Sequence, residues 1–184
     1  MRIIAGRWRG IPLESPRGSA VRPTTDRVKE SMFNLIPHQL EGLVIDLFAG
    51  TGALGIEALS RGASRAIFVD KDSRSARLVR RNLDRVGALS QAEVWVVDWA
   101  RALRRFEASE ESATYVFVDP PYDACLWVPV LRALPAARIL GGVVCELPAS
   151  LDLPDEVGDF VLDKARRYGD IAVRIYRSRF GVEI

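Results

Sequence analysis

Three groups of residues in this sequence have types and spacing suited to chemistry. The first lies in "VIDLFAGTGALGIEALSRG", where Gly50, Gly52 and Gly55 fit G-x-G-x-x-G. Such glycines allow a tight strand-to-helix turn and bring the backbone close to a ligand at the helix N-terminus. The second is a set of carboxylates, Asp46, Asp70 and Asp98, each closing a short apolar run. The third is "FVDPPY", residues 117 to 122. Neither proline has an N–H for a sheet ladder, and each restricts the residue before it, so the motif stops a buried strand abruptly and leaves Asp119 and Tyr122 at the stop.

The carboxylates narrow the ligand. Asp46, beside the glycine turn, repels a pyrophosphate and welcomes a cation. Asp70 stands where an acid accepts hydrogen bonds from ribose hydroxyls in nucleotide-binding α/β folds, and Asp98 closes the next run. A sulfonium cofactor with an amino acid moiety, a ribose and an adenine would use all three. Taken singly, each feature has a plainer reading: the glycines also describe a tight turn with no ligand, Asp98 also fits a loop acid or a helix cap, and Asp72 reads as a cap.

Positioning these groups requires a sheet whose strands end together. Continuous apolar runs at Val44 to Phe48, Ala66 to Val69, Val94 to Val97, Tyr115 to Val118 and Gly142 to Leu147 read as strands buried on both faces of a parallel sheet. Between them lie helical patterns. After Asp72, "SRSARLVRRNLDRVG" sets Ala76, Val79, Leu83 and Val86 on one side and stops at Gly87. The alternation predicts a doubly wound α/β fold with right-handed crossovers. The late "FVLDKARRYGDIAVRIYR" predicts an antiparallel hairpin, turning at Gly169 and Asp170 and closing one sheet edge.

The front of the chain differs. Residues 1 to 29 hold Arg2, Arg7, Arg9, Arg17, Arg22, Arg27 and Lys29 against Glu14 and Asp26, a balance of +5 in a chain whose net charge is +2. Residues 1–25 are expected to form a mobile basic arm, with a β-hairpin as one form, before a methyltransferase-like α/β domain over 26–184. "RPTTDRVKESMFNLI" starts a helix after Pro23, capped by Thr24 or Thr25, with Val28, Met32 and Leu35 along one side.

Composition excludes several classes. At 184 residues, 48% hydrophobic and 27% charged, the chain has the make-up of one soluble domain rather than a disordered segment. The run from Ile139 to Cys145 is far too short to span a bilayer, and "MRIIAGRWRG" lacks the apolar stretch and cleavage site of a secretory signal, which predicts a cytosolic protein. Cys125 and Cys145 are not in a C-x-x-C pattern, nor near the one histidine, His38. They read as buried small hydrophobes, with no disulfide framework and no metal site.

At "DPPY" the sequence resembles the S-adenosylmethionine-dependent methyltransferases that act on amino groups of nucleobases. Over nearly its whole length it resembles the RsmD-type bacterial family of 16S rRNA guanine-N2 methyltransferases, of the type named for guanine 966, through "MRIIAGRWRG", "RPTTDRVKESMFNLI", "DLFAGTGALGIEALSRGA", "FVDKD", "DPPY" and "RYGD". The resemblance implies a Rossmann-like fold, S-adenosyl-L-methionine as cofactor, and 16S rRNA or a small-subunit assembly particle as partner of a monomer. It implies that Asp46, Phe48, Ala49, Gly50, Thr51, Gly52, Asp70, Lys71, Asp98 and Trp99 line the cofactor cleft. Asp119, Pro120, Pro121 and Tyr122 then bind the target amine and base, with Asp119 and the Pro120 carbonyl accepting the amine N–H bonds and Tyr122 stacking on the base. The basic arm is expected to offer Arg2, Arg7, Arg9 and Arg17 to RNA phosphates, with a merely solvated face as the plainer reading, and the resemblance implies that Arg22, Thr24, Thr25 and Arg27 lie beside the cofactor or the RNA. Three rival functions fit parts of the same sequence. A DNA adenine-N6 or cytosine-N4 methyltransferase uses the same acid and aromatic group, but such enzymes usually carry a recognition domain that this length does not accommodate. A nicotinamide-dependent oxidoreductase leaves "DPPY" without a role. A non-catalytic RNA-binding module would not bind the cofactor.

Overall fold

The computed structural model describes residues 1–15 and 26–180. Five strands carry the apolar runs: β1 (Leu43–Asp46), β2 (Arg65–Val69), β3 (Ala92–Trp95), β4 (Ala113–Val118) and β5 (Ile139–Pro148). They pair in parallel in the order β3-β2-β1-β4-β5, and the antiparallel β8 (Ile171–Ser178), β7 (Phe160–Tyr168) and β6 (Glu156–Val157) extend the sheet from β5. The β7–β8 turn falls at Gly169 and Asp170, as the sequence predicts. β3 ends two residues earlier than expected, and Val96 is exposed.

Helices cover both faces. On one side lie α1 (Asp26–Phe33), α2 (Ala53–Ser60) and α3 (Ser73–Arg85), which bury Met32, Ile56, Val79 and Leu83 against Val44, Phe68 and Phe117. On the other lie α4 (Trp99–Ala108) and α5 (Trp127–Ala133), with Leu103, Phe106, Trp127 and Val130 against Ile45, Ile67 and Val116. This is the doubly wound arrangement. Asp72 caps α3 by accepting a bond from the Arg74 amide, and Val79 and Leu83 are fully buried, so the amphipathic reading of that helix holds.

The described part of the N-terminal arm packs against the α1–α3 core. Residues 1–13 turn back on themselves through Ile3 N to Ile11 O at 3.0 Å, Gly10 N to Ile3 O at 2.8 Å and Leu13 N to Met1 O at 3.1 Å. Ile3 and Leu13 are buried in the α1–α3 core. The Ile4 and Ala5 amides donate to the two Glu57 carboxylate oxygens, at 2.8 and 3.0 Å, and the Arg7 amide donates to Ser60 O at 2.9 Å. Lys29, fully buried on α1, donates to Arg2 O at 2.6 Å and pairs with Glu57 at 3.2 Å, and Arg61 pairs with Glu57 at 2.9 Å. The positive charge of this segment hid the fact that its apolar residues and backbone donors belong to the core. The cap residues Thr24 and Thr25, and Arg17 and Arg22, lie outside the described residues.

Cys145 is buried as expected, and burial pushes its thiol up. Cys125 is exposed at φ 47°, because it ends the short turn after the prolines rather than sitting in an element.

Candidate active site

The C-terminal ends of β1, β2 and β4 bring most of the predicted chemistry together. The glycine turn runs off β1: Leu47 N bonds Phe117 O at 3.1 Å and Ala49 N bonds Val69 O at 2.9 Å, so the neighbouring strands hold its first residues. Gly50 adopts φ 53° with nothing within 4 Å of the position a Cβ would take, which leaves an open approach to the backbone. At Gly55 a Cβ would stand 2.3 Å from the Phe68 ring, so this third glycine serves helix–strand packing. The two conditions explain why the turn needs glycine at both ends.

Asp46 lies at the end of β1, 2% exposed, and its Oδ2 accepts the Gly55 amide at 3.0 Å. Burial pushes its carboxyl up to about 7, opposed by that amide and reinforced by the Asp70 charge. Asp70, just past β2, accepts Gly50 N at 3.0 Å and Asp72 N at 2.8 Å, so it ties the glycine turn to the start of α3. Each carboxylate oxygen has a second lone pair, which leaves acceptor capacity for a ligand hydroxyl.

Asp119 follows β4 and keeps part of its surface accessible. Protein atoms crowd its carboxyl, and burial first, then the charges of Glu146 and Asp46, raise it well above the usual carboxylate range. Pro120 is buried and Pro121 exposed, both past the last ladder residue Val118, where a missing N–H costs no sheet bond. Tyr122 then opens a short turn, its ring 6.1 Å from that of Trp127 and its hydroxyl donating to Glu146 Oε1 at 3.4 Å. A sheet rim where the carboxyls of Asp119, Glu146 and Asp46 act on one another favours positive charge and hydrogen-bond donors, because an uncompensated buried anion is costly.

Other predicted residues are placed less centrally. Asp98 is exposed and caps α4, accepting the Arg101 amide at 2.9 Å, which holds its carboxyl below the usual range. The cap role is therefore real, and Trp99 starts the helix it caps. Phe48 is partly buried against the α4–α5 core, Ala49 is buried, and Lys71 is exposed. Thr51 is buried, its hydroxyl 3.6 Å from Met1 Sδ. Arg27 is exposed on α1, and Arg2 pairs with Asp26 at 3.0 Å. Arg7 bonds Gln91 at 2.6 Å and stacks on Trp8. It borders an open depression with His38, Ser60 and Arg61, at the far end of α2 from the glycine turn and so away from the strand-end carboxylates; Arg9 is exposed two residues on.

Two supporting residues were not singled out in the sequence. Asn82 is fully buried on α3, donating to Thr51 O at 2.9 Å and to Glu14 O at 3.1 Å while accepting the Glu14 amide at 2.8 Å; it clamps the glycine turn to the N-terminal segment. Glu146 is 3% exposed on β5. Both carried a signal: an amide on an otherwise apolar helix stripe, and an acid inside the apolar run "VVCELP".

With this geometry in view, the comparisons with known proteins agree on a family. The family model described as "Conserved hypothetical protein 95" matches residues 1–177. The ribosomal RNA small subunit methyltransferase D of Escherichia coli (strain K12) is 33% identical over 96% of this chain and 89% of its own length. A Bacillus subtilis (strain 168) protein, named YlbH as a candidate rRNA methyltransferase, is 40% identical over 97% of this chain and 100% of its own. Among solved structures, a hypothetical protein of Thermus thermophilus superposes with a TM-score of 0.80 at 30% identity, covering 96% of this chain and 99% of that one.

Proposed function

This chain belongs to the conserved hypothetical protein 95 family, that of the small-subunit rRNA methyltransferase D proteins, and from that premise we propose that it methylates the exocyclic N2 amine of a guanine in 16S rRNA, of the 966 type, using S-adenosyl-L-methionine. One observation carries the reading: Asp119 stands at the sheet rim within reach of the Asp46 and Glu146 charges, followed by two prolines and Tyr122. That arrangement puts an amine acceptor on a cation-favouring rim.

The residues present fit the cofactor. Asp46 offers charge to a cationic group, Asp70 retains acceptor capacity for ribose hydroxyls, Gly50 leaves the backbone open, and Asp98 at the head of α4 flanks the same rim. S-adenosyl-L-methionine, when bound, supplies an electrophilic methyl group.

The rest follows from the chain itself. An exocyclic base amine is a weak nucleophile because its lone pair is delocalised into the ring. Asp119 and the Pro120 carbonyl accept its two N–H bonds and hold the nitrogen away from planarity, so that positioning and electrostatics carry the catalysis. The raised affinity of Asp119 for a proton also suits it to take the one that the amine gives up. The Tyr122 ring, held near Trp127, offers a face on which the base stacks. No helix among the described residues is long and apolar enough to cross a membrane, and the reading takes the protein as a monomer acting on rRNA in the cytosol.

The test is nucleoside mass spectrometry of small-subunit rRNA from cells with and without the gene, with the purified protein added back. N2-methylguanosine should be lost and then restored. The Asp119→Ala variant should fail to restore it while binding S-adenosyl-L-methionine within a few fold of wild type. An unchanged N2-methylguanosine content would overturn the assignment.

A further inference from the structure

Glu146 is a buried acid that amine activation leaves unused. β4 and β5 are parallel, with Val118 opposite Cys145, so Asp119 and Glu146 come next on adjacent strand paths, about 4.8 Å apart in the hydrogen-bonding direction. Glu146 lies two residues beyond Val144, which faces the α1–α3 core, so strand alternation turns its side chain to that side. Asp46 lies two residues beyond Val44 on the same face. The Glu146 charge acts on the Asp119 carboxyl, and the Tyr122 hydroxyl reaches Glu146 Oε1 at 3.4 Å. The Trp127 indole donates to Glu146 O at 2.7 Å, which anchors the backbone beneath that carboxylate. The acceptor for the amine, the stacking ring and a second buried carboxylate therefore meet at one point.

Two adjacent carboxylates suit a base edge with two adjacent donors. Guanine has one, N1–H beside the N2 amine. Adenine and cytosine each place a ring nitrogen acceptor beside their exocyclic amine, and an accepting carboxylate oxygen there meets a lone pair with a lone pair.

We propose that Glu146 determines base specificity by accepting the N1–H of the target guanine while Asp119 accepts from the N2 amine. The inference rests on the guanine-N2 reading above. A site built to bond a donor rejects the analogue lacking it, because the acceptor turned to the base edge then meets a ring-nitrogen lone pair in place of an N–H. Discrimination thus comes from the neighbour of the reacting amine, which no base can alter without changing its identity.

The experiment compares guanine with 2-aminopurine, which keeps the amine at carbon 2 but has a bare N1 acceptor, at the position that the wild-type protein methylates in small-subunit RNA. Wild type should prefer guanine by on the order of ten- to a hundredfold in kcat/KM, the range of a hydrogen bond to a charged group. Glu146→Gln offers either an amide oxygen or an amide N–H to the base edge. It should lower the guanine rate by a similar factor, leave 2-aminopurine equal or improved, and leave cofactor affinity unchanged. Tyr122→Phe should keep the guanine preference. Equal wild-type rates on the two bases would overturn the inference without any variant. So would an equal fall on both bases in Glu146→Gln, which would make Glu146 a positioning residue for Tyr122. Absence of N2 methylation on guanine itself would instead refute the parent reading, and the inference with it.

Discussion

The buried carboxyl of Asp46 makes cofactor affinity depend on pH in a calculable way. With its carboxyl at about 7, the group is mostly protonated in mildly acidic buffer and mostly ionised in mildly basic buffer. If the ionised form is what receives the cofactor's positive charge, about one molecule in ten is competent at about pH 6 and about nine in ten at about pH 8, a gain of roughly tenfold in affinity, or about 1.4 kcal/mol. Asp46→Asn keeps an oxygen for the Gly55 amide and removes the titration. Calorimetry of S-adenosyl-L-methionine binding to both proteins across this range provides the test, because titration of the ligand's own amino group is common to the two and cancels in their ratio. The ratio of wild-type to variant affinity should rise about tenfold with pH. Stability runs the other way. The folded carboxyl lies above its ordinary value of 3.8, so the folded state binds more protons between 3.8 and about 7, and stability falls as pH rises through that window. Asp46→Asn should therefore unfold at a higher temperature than wild type at about pH 8 and lose that advantage near pH 4. A flat affinity ratio together with a flat stability difference would refute the account of Asp46 as a desolvated acid facing a cation.

Other residues give separate expectations. Asp70→Ala removes a proposed ribose acceptor and also releases the Gly50 and Asp72 amides, so cofactor binding should weaken by on the order of 1–3 kcal/mol, with faster hydrogen exchange at Gly50; unchanged affinity by calorimetry would remove Asp70 from the site. Lys29→Met leaves Glu57 with Arg61 and two backbone donors but breaks the buried pair, and thermal or denaturant unfolding should show a loss of about 3–5 kcal/mol, with earlier proteolysis at Arg7 and Arg9. If the exposed Arg7 and Arg9 meet RNA phosphates, replacing both should weaken RNA binding and flatten its log-log salt dependence by roughly 0.7–0.9 per lost contact; equal slopes would free them of that role.

Much of this molecule is written in local sequence. Continuous apolar runs dictate strands buried on both faces, the stripe of Ala76, Val79 and Leu83 dictates an amphipathic helix, Asp72 and Gly87 mark its limits, and "DPPY" must end a ladder because proline has no donor. The strand-end carboxylates were legible for the same reason: a charge at the end of an apolar run has only the rim of the sheet to occupy. Tertiary structure decided what depends on residues distant in sequence. The N-terminal segment reads as a basic arm from its charge, yet Ile3 and Leu13 enter the core and the backbone around them is held by Glu57, more than fifty residues away. Asn82 clamps the glycine turn from α3, thirty-one residues on. Glu146 stands beside Asp119 only because β4 and β5 pair in one particular register. Period and punctuation act over a few residues, whereas desolvation and charge coupling act through space, so a sequence can announce that an acid is buried while only the folded chain shows what it is buried beside.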